Sequence, residues 1–168
     1  MSSYESFLDL FGNVVERNLM IATLVYLKVD GVIVSKENII QTFFEVMDNL
    51  SIENKVSILR MHPILGDKVP ASALDSTNEQ SYLGVKNVSQ ETLDYLNDLN
   101  QKYLNKFKFP FVICVKKKSF DEVLIEIAER CTKLYEEEVS LGVEEVKKIC
   151  EIRILDTFEK KEDIIRQL

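Results

Sequence analysis

Residues 61–80 read MHPILGDKVPASALDSTNEQ, and the rest of the chain is organised around this stretch. It contains the only histidine of the protein, His62, and two of its three prolines. Apolar residues recur at helical spacing on both sides of the stretch, and this periodicity fades within it. The imidazole of histidine titrates near neutral pH, so its presence in the least regular segment makes an enzyme the first hypothesis to test.

Length and composition predict a single all-α domain. The chain has 168 residues, of which 46% are hydrophobic and 29% are charged, as is ordinary for a globular protein with a core. With only 5 glycines and 3 prolines it is poor in the turns that a β-sandwich or barrel needs. We therefore expect one domain over residues 1–168, a helical bundle of about seven to nine helices with one buried extended segment.

Charge and hydropathy exclude two classes of partner. The net charge of −7, without a long basic run, disfavours binding to nucleic acid. No apolar run reaches the length that spans a membrane, and Glu5 and Asp9 already interrupt the first ten residues, unlike a signal peptide. We therefore expect no nucleic-acid or membrane partner.

The three cysteines, Cys114, Cys131 and Cys150, predict reduced thiols in the cytoplasm. They are odd in number, far apart in sequence, and show no metal-ligand spacing, so we expect no metal site. The C-terminal residues Arg166-Gln167-Leu168 resemble a peroxisomal address only loosely, because glutamine replaces the basic middle residue.

Helical periodicity and capping signals divide most of the remaining chain into helices. Because proline disfavours helical geometry at the residue before it, His62 is expected just past a helix end. Ser76 and Glu79 fit a capping box, as do Ser119 and Glu122. We predict helices at residues 6–26 (one or two), from residue 35, and at residues 53–60, 90–107, 119–135 (with Leu134 inward) and 137–158.

Three features allow either a structural or a functional interpretation. Residues 107–115, FKFPFVICV, are β-prone but have no partner strand, so we expect a buried extended segment whose backbone a ligand could help to satisfy. Asn100 on an inward helix face is either a satisfied core amide or a group that supports a site. Arg153 continues the apolar stripe of the last helix and needs an anion, either an internal carboxylate or that of a substrate.

The candidate functional residues within the stretch 61–80 also have structural explanations when each is taken alone. A lone histidine is more often a loop or cap residue than a catalyst. A capping box explains both Ser76 and Glu79, although the same helix N-terminus could also bind an anionic ligand.

In combination, these motifs resemble the OHCU decarboxylase family, where OHCU is 2-oxo-4-hydroxy-4-carboxy-5-ureidoimidazoline, a product of urate oxidation. The similarity covers nearly the whole chain, although the family usually has a small residue, most often glycine, where Lys108 stands. Its loop after His-Pro is also longer than the one that follows His62-Pro63 here. The matching motifs, in order, are Phe7, Phe11-Gly12, Glu16, Ala22, His62-Pro63, Ser76-x-x-Glu79-Gln80, Asn100-x-x-Tyr103-x-x-Lys106-Phe107-x-Phe109-Pro110-Phe111-Val112-Ile113-Cys114-Val115 and Arg153.

The resemblance implies an all-helical, cofactor-free enzyme, usually a homodimer, that decarboxylates OHCU to (S)-allantoin. On this interpretation His62 is the catalytic acid/base and Glu79 lies beside the reacting centre. The residues implied to bind the anionic substrate are Pro63, Ser76, Thr77, Asn78, Gln80, Phe111, Val112, Ile113, Cys114, Val115 and Arg153. Two alternatives remain open at this stage: a decarboxylase or lyase acting on a related heterocyclic acid, and a helical interaction module without catalysis.

Overall fold

The computed structural model describes residues 3–30, 35–66 and 88–165. Within these ranges the chain is helical and contains no β-strand, which confirms the predicted all-α class. In the same ranges, no helix combines the length and the hydropathy needed to span a bilayer. The helices are α1 (Ser3–Phe11), α2 (Leu19–Lys28), α3 (Lys36–Asp48), α4 (Ile52–Arg60), α5 (Gln90–Phe107), α6 (Phe120–Arg130) and α7 (Tyr135–Ile165).

The chain divides into two compact units, which we describe separately. The first unit comprises Met1–Met61 and Val143–Leu168, and the second comprises His62–Gly142. The boundary between them falls within α7. A single domain over residues 1–168 stays a prediction.

The core of the first unit is built on aromatic contacts of α1. The rings of Phe7 and Phe11 are fully buried and lie 5.0 Å apart, and Phe11 lies 5.8 Å from Phe158 of α7. The chain leaves α1 at Gly12, where a Cβ atom would stand 2.4 Å from the carbonyl oxygen of Leu8. Only glycine permits this close approach, which places the core aromatics of α1 against their partners.

The second unit contains the predicted buried segment between α5 and α6. Tyr103 lies at the centre of its aromatic cluster, 4.7 Å from the Phe107 ring and 5.3 Å from the Phe111 ring. Residues 109–114 are buried and form no strand, as predicted. Within the described ranges no β-ladder satisfies the backbone groups of this segment.

Helix starts follow the capping signals in the sequence. Ser35, Ser51 and Ser89 cap α3, α4 and α5. The predicted capping box of α6 is complete, because the amide of Ser119 donates to Glu122 at 2.6 Å and the amide of Glu122 donates to the Ser119 hydroxyl at 3.2 Å. The hydrogen bond from the Ser119 backbone holds the pKa of Glu122 below its ordinary value.

The predicted end of α6 is wrong. The helix ends at Arg130 rather than near residue 135, α7 begins already at Tyr135, and Leu134 is 71% exposed instead of inward. The ammonium group of Lys106 in α5 donates to the carbonyl oxygens of both Cys131 and Lys133, each at 2.8 Å. These contacts stabilise a turn between the two helices. The hydrophobic periodicity within α6 could not predict this turn, because the stabilising lysine belongs to α5.

Lys108 occupies a backbone conformation that favours glycine. It caps the C-terminus of α5 with φ 62° and ψ 22°, and its amide donates to the carbonyl oxygen of Leu104 at 2.9 Å. This left-handed geometry explains why a small residue is usual at this position in the family that the sequence resembles. The turn forms here with lysine, at a cost in backbone strain.

We predict that Lys108→Gly raises the free energy of unfolding by about 0.5–1 kcal/mol, because glycine adopts the left-handed conformation without strain. Urea denaturation measures this change. The matched control is Lys102→Gly in the exposed interior of α5, which should lower the free energy of unfolding by about 1 kcal/mol. A comparable loss for both variants would contradict the assigned strain.

Candidate active site

His62 lies directly after α4, as the following proline predicted. The helix ends at Arg60, Met61 is its C-cap, and His62 comes next. His62 is 9% exposed, whereas its neighbours Met61 and Pro63 are exposed. The only histidine of the chain thus lies at a helix end and is largely withdrawn from solvent. Its catalytic role and the substrate contact of Pro63 stay predictions.

Asn100 stabilises the loop that follows His62-Pro63. Its side-chain amide is 4% exposed and donates from Nδ2 to the carbonyl oxygen of Leu65 at 2.8 Å. The loop then turns at Gly66, whose φ of +93° lies in the region that favours glycine. Asn100 therefore acts as a core amide and also ties the loop beside the histidine to α5.

The buried segment at residues 111–115 is attached to α6 by Arg130. The Nη1 atom of Arg130 donates to the carbonyl oxygen of Val112 at 2.9 Å, and the guanidinium carbon lies 4.6 Å from the centre of the Phe111 ring. The carbonyl of Val115 accepts from the amide of Lys118 at 3.0 Å. Phe111, Val112, Ile113 and Cys114 are buried and Val115 is half-buried. Their predicted contacts with substrate stay predictions.

Sequence reasoning missed the charged pair behind this segment. Arg130 and Glu138 are 4% and 0% exposed, and the Nε atom of Arg130 lies 2.7 Å from Oε1 of Glu138. A signal was available, because Arg130 continues the apolar stripe of α6 three residues after Ile127, as Arg153 does in α7. Such an inward guanidinium needs an anion.

Contacts with Glu138 shift the pKa values of Tyr103 and of Arg130. Burial and a hydrogen bond to Glu138 raise the pKa of Tyr103 well above its ordinary value. Burial lowers the pKa of Arg130, but its hydrogen bond to Glu138 and the nearby negative charge outweigh this effect and raise it overall. Tyr103 and Arg130 therefore stay protonated and act as fixed hydrogen-bond donors.

Arg153 has an internal carboxylate partner. Its Nη2 atom lies 2.8 Å from Oε2 of Glu16, and its Nη1 atom donates to the carbonyl oxygen of Asn13 at 3.1 Å. A guanidinium carries five N–H donors, and these contacts use two of them. Arg153 belongs to the first unit and His62 to the second, so their predicted convergence on one substrate stays a prediction.

The remaining predicted site residues lie outside the described ranges. They are Ser76, Thr77, Asn78, Glu79 and Gln80.

The described part of the chain offers no alternative metal centre or disulfide. Within residues 3–30, 35–66 and 88–165, no three His, Cys, Asp or Glu side chains are grouped so as to hold a metal ion. The three cysteines are free thiols, and burial raises the pKa of Cys150 to about 12. This thiol therefore stays protonated and unreactive at neutral pH.

Comparison with known proteins supplies the family. The sequence model described as OHCU decarboxylase matches residues 1–155. The 2-oxo-4-hydroxy-4-carboxy-5-ureidoimidazoline decarboxylase of Xenopus laevis is 37% identical over 160 residues, which cover 93% of this chain and 90% of that protein. The protein of the same name from Amia calva is 33% identical over 160 residues, covering 94% and 90% of the two chains.

A solved structure agrees at the level of the fold. The crystal structure of an OHCU decarboxylase in the presence of (S)-allantoin matches with a TM-score of 0.69 at 23% identity, over 83% of this chain and 90% of that one. The sequence relatives and the matched family model lead to one conclusion: this chain belongs to the OHCU decarboxylase family.

Proposed function

We propose that this protein decarboxylates OHCU to (S)-allantoin in the degradation of urate. The observation that carries the proposal is the family match, which spans residues 1–155 and includes relatives named for this activity. The low exposure of the single histidine, directly after α4, supports the proposal, because a histidine shielded from water is suited to general acid–base catalysis. The similar crystal structure obtained with (S)-allantoin is in keeping with this product.

The chemistry suits a protein that acts through side chains alone. The bond between the ring carbon and the carboxylate breaks, CO₂ leaves, and the electron pair is delocalised into the neighbouring imine or carbonyl. A proton is then delivered to one face of the resulting enolate-like intermediate. The protein has to orient and desolvate the leaving carboxylate, stabilise the developing charge and protonate a single face. These tasks define the roles that we assign.

We assign the protonation step to His62, with Glu79 orienting the imidazole or accepting a ureido N–H. Arg153 is assigned to an anionic or carbonyl oxygen of the substrate, because a guanidinium binds such groups through paired N–H donors. The remaining proposed contacts come from Pro63, Ser76, Thr77, Asn78, Gln80, Phe111, Val112, Ile113, Cys114 and Val115.

We predict that the wild-type protein, given OHCU generated in situ from urate, forms one enantiomer of allantoin rapidly. His62→Ala should lower kcat/KM by about 10²–10⁴-fold, the usual contribution of general acid–base catalysis, and the product should become racemic. Circular dichroism follows both the rate and the chirality.

The matched control for this variant is Met61→Ala, which truncates the exposed neighbour of His62 and should keep wild-type activity. A racemic product at the spontaneous rate from the wild-type protein would refute the proposed reaction. If the protein does not decarboxylate OHCU but decarboxylates a related heterocyclic acid, the alternative of a decarboxylase or lyase for such an acid is correct.

The ion pair between Arg153 and Glu16 allows a sharp test of the assignment to Arg153. Their side chains are 25% and 15% exposed, so the pair is partly shielded from water. Removing either partner breaks the pair, but only removal of the guanidinium would also remove the proposed substrate contact. The two variants therefore separate a structural role from a binding role.

We predict that Arg153→Gln raises KM for OHCU about 10–100-fold, as expected for the loss of about 1.5–3 kcal/mol of hydrogen bonding to a charged group. Glu16→Gln should change KM by less than about threefold, because the guanidinium is retained. Steady-state kinetics on both purified variants gives the comparison. Equal effects on KM would assign Arg153 to the structural ion pair alone.

We propose that the protein is a homodimer that uses the outer face of α2. Apart from Thr23 and the terminal Lys28, this helix consists of hydrophobic residues, whereas a helix at a monomer surface normally has a polar face. Ile21, Ala22 and Val25 are buried. The residues left exposed are Leu19, Met20, Leu24 and Leu27, at 59%, 47%, 38% and 67%. Because Met20, Leu24 and Leu27 are spaced by four and three residues, they share one face, which a second copy could cover.

We predict that Leu24→Glu combined with Leu27→Glu converts the dimer to a monomer, because carboxylates on this face oppose its burial. Size-exclusion chromatography with light scattering gives the mass. The matched control is Ile125→Glu on α6, where a single apolar side chain is 59% exposed. A wild-type protein that elutes as a monomer at all concentrations would exclude the proposal.

We also propose the cytoplasm as the compartment. The thiols of Cys114 and Cys150 are buried and Cys131 is half-buried, an arrangement suited to a reducing environment. Fractionation of host cells tests this, and recovery with organelles would contradict it.

A further inference from the structure

Three polar side chains meet in the interior of the unit His62–Gly142. Tyr103 and Glu138 are 0% exposed and Arg130 is 4% exposed. The Oε1 atom of Glu138 accepts hydrogen bonds from the Tyr103 hydroxyl and, at 2.7 Å, from Nε of Arg130, and it forms an ion pair with Nη2 of Arg130 at 2.5 Å. We call these three residues the Arg130 cluster. It joins α5, α6 and α7.

Stability alone does not explain this cluster. Desolvating two charges costs several kcal/mol per ion, and apolar side chains of similar volume are often as stable as a buried ion pair. What a buried pair gives in return is direction, because the planar guanidinium has fixed N–H vectors. The cluster is therefore best understood from the other contacts of Arg130, which use the N–H donors and the planar face of the guanidinium that Glu138 leaves available.

Arg130 directs these remaining groups at residues 111–115. Its Nη1 atom donates to the carbonyl oxygen of Val112 at 2.9 Å, and its guanidinium carbon lies 4.6 Å from the centre of the Phe111 ring. Tyr103 also packs against Phe111, with the two ring centres 5.3 Å apart and the ring planes at 75°. Two successive residues of the segment are thus held by one cluster, one through its backbone and one through its side chain.

The segment needs such support because no strand pairs with it within the described ranges. In a β-sheet, neighbouring backbones would set the direction of its N–H and C=O groups. Here the hydrogen bond to Val112 performs that task from a side chain. A shift of the Val112 carbonyl would rotate the adjoining peptide groups of the segment, since each peptide unit is planar.

We propose that Tyr103, Arg130 and Glu138 are positioning residues for OHCU decarboxylation, which orient the backbone of residues 111–115 toward the polar rim of the substrate. This inference rests on the proposed function, which assigns substrate contacts to that segment. The cluster acts through Val112 and Phe111 and does not itself touch substrate. Its effect is on binding geometry rather than on proton transfer.

The first test is Arg130→Lys, which keeps the charge beside Glu138 but loses the planar fork and the broad contact with Phe111. We expect KM for OHCU to rise at least about 10-fold with kcat changed less than about threefold, the pattern for loss of an interaction made equally in the ground and transition states. Hydrogen–deuterium exchange of peptides covering residues 111–115 should accelerate at the same time.

Tyr103→Phe is a milder variant that keeps the ring against Phe111 and removes one donor to Glu138. We expect a smaller rise in KM, together with faster exchange in the same peptides. If Arg130→Lys does not fold, Tyr103→Phe decides the matter. Unchanged KM and unchanged exchange in this variant would then overturn the proposal.

The matched control is Lys147→Met, which removes a buried cation that lies outside the Arg130 cluster. Lys147 is 7% exposed and pairs with Asp48 and Glu144 in the unit Met1–Met61 with Val143–Leu168. This variant should lose stability but keep wild-type KM and wild-type exchange in residues 111–115. A rise in KM equal to that of Arg130→Lys would show that any buried charge has this effect, and would overturn the proposal.

Failure of the inference and failure of the proposed function are distinguishable. If the wild-type protein does not accelerate the formation of one allantoin enantiomer, the proposed function fails and the inference fails with it. If the wild-type protein is active but folded Arg130→Lys keeps its KM and its exchange rates, only the positioning role is refuted.

Discussion

The hydrogen bond from Arg130 to the carbonyl of Val112 solves the main physical problem of this fold. When a helical protein buries a non-helical segment, the N–H and C=O groups of that segment need hydrogen-bond partners, and no neighbouring β-strand supplies them. The left-handed turn at Lys108 leads the chain out of α5 into that segment. There the guanidinium of Arg130, from α6, donates a hydrogen bond to the carbonyl of Val112. Glu138 from α7 balances the buried charge. The carboxylate of Glu138 also accepts from Tyr103 of α5, so it joins three helices behind this carbonyl.

The same device recurs at other irregular connections. The amide of Asn100 binds the carbonyl of Leu65 beside the histidine, and the ammonium of Lys106 binds two carbonyls between α6 and α7. In the first unit, Arg153 donates to the carbonyl of Asn13 after α1. Polar side chains on regular helices thus fix backbone that has no regular structure of its own, and one of these three connections, the loop after His62-Pro63, carries predicted site residues.

This organisation suits the proposed reaction. Decarboxylation next to an electron-withdrawing group needs little covalent assistance, so the value of the enzyme lies in excluding water and in selecting one face for protonation. Both tasks require loops that do not move much. Anchoring them from helices, through side-chain donors such as those of Asn100 and Arg130, gives the site a precision that free loops would lack.

Local features of the sequence determined most of the secondary structure. The capping box at Ser119 and Glu122 predicted the start of α6, because a capping hydroxyl interacts only with amides two or three residues away. The proline after His62 likewise predicted the end of α4. The order of short motifs was sufficient to indicate the family, since it depends on sequence alone.

Only the tertiary structure decided how the buried charges are paired. The sequence showed that Arg153 needs an anion, but Glu16 lies 137 residues away. Arg130 and Glu138 are separated by a turn whose position depends on Lys106, and Tyr103 reaches Glu138 across 35 residues. Helical periodicity predicts on which face of its helix a side chain lies. It does not predict the partner of that side chain on another helix, because the partner depends on how helices distant in sequence pack together.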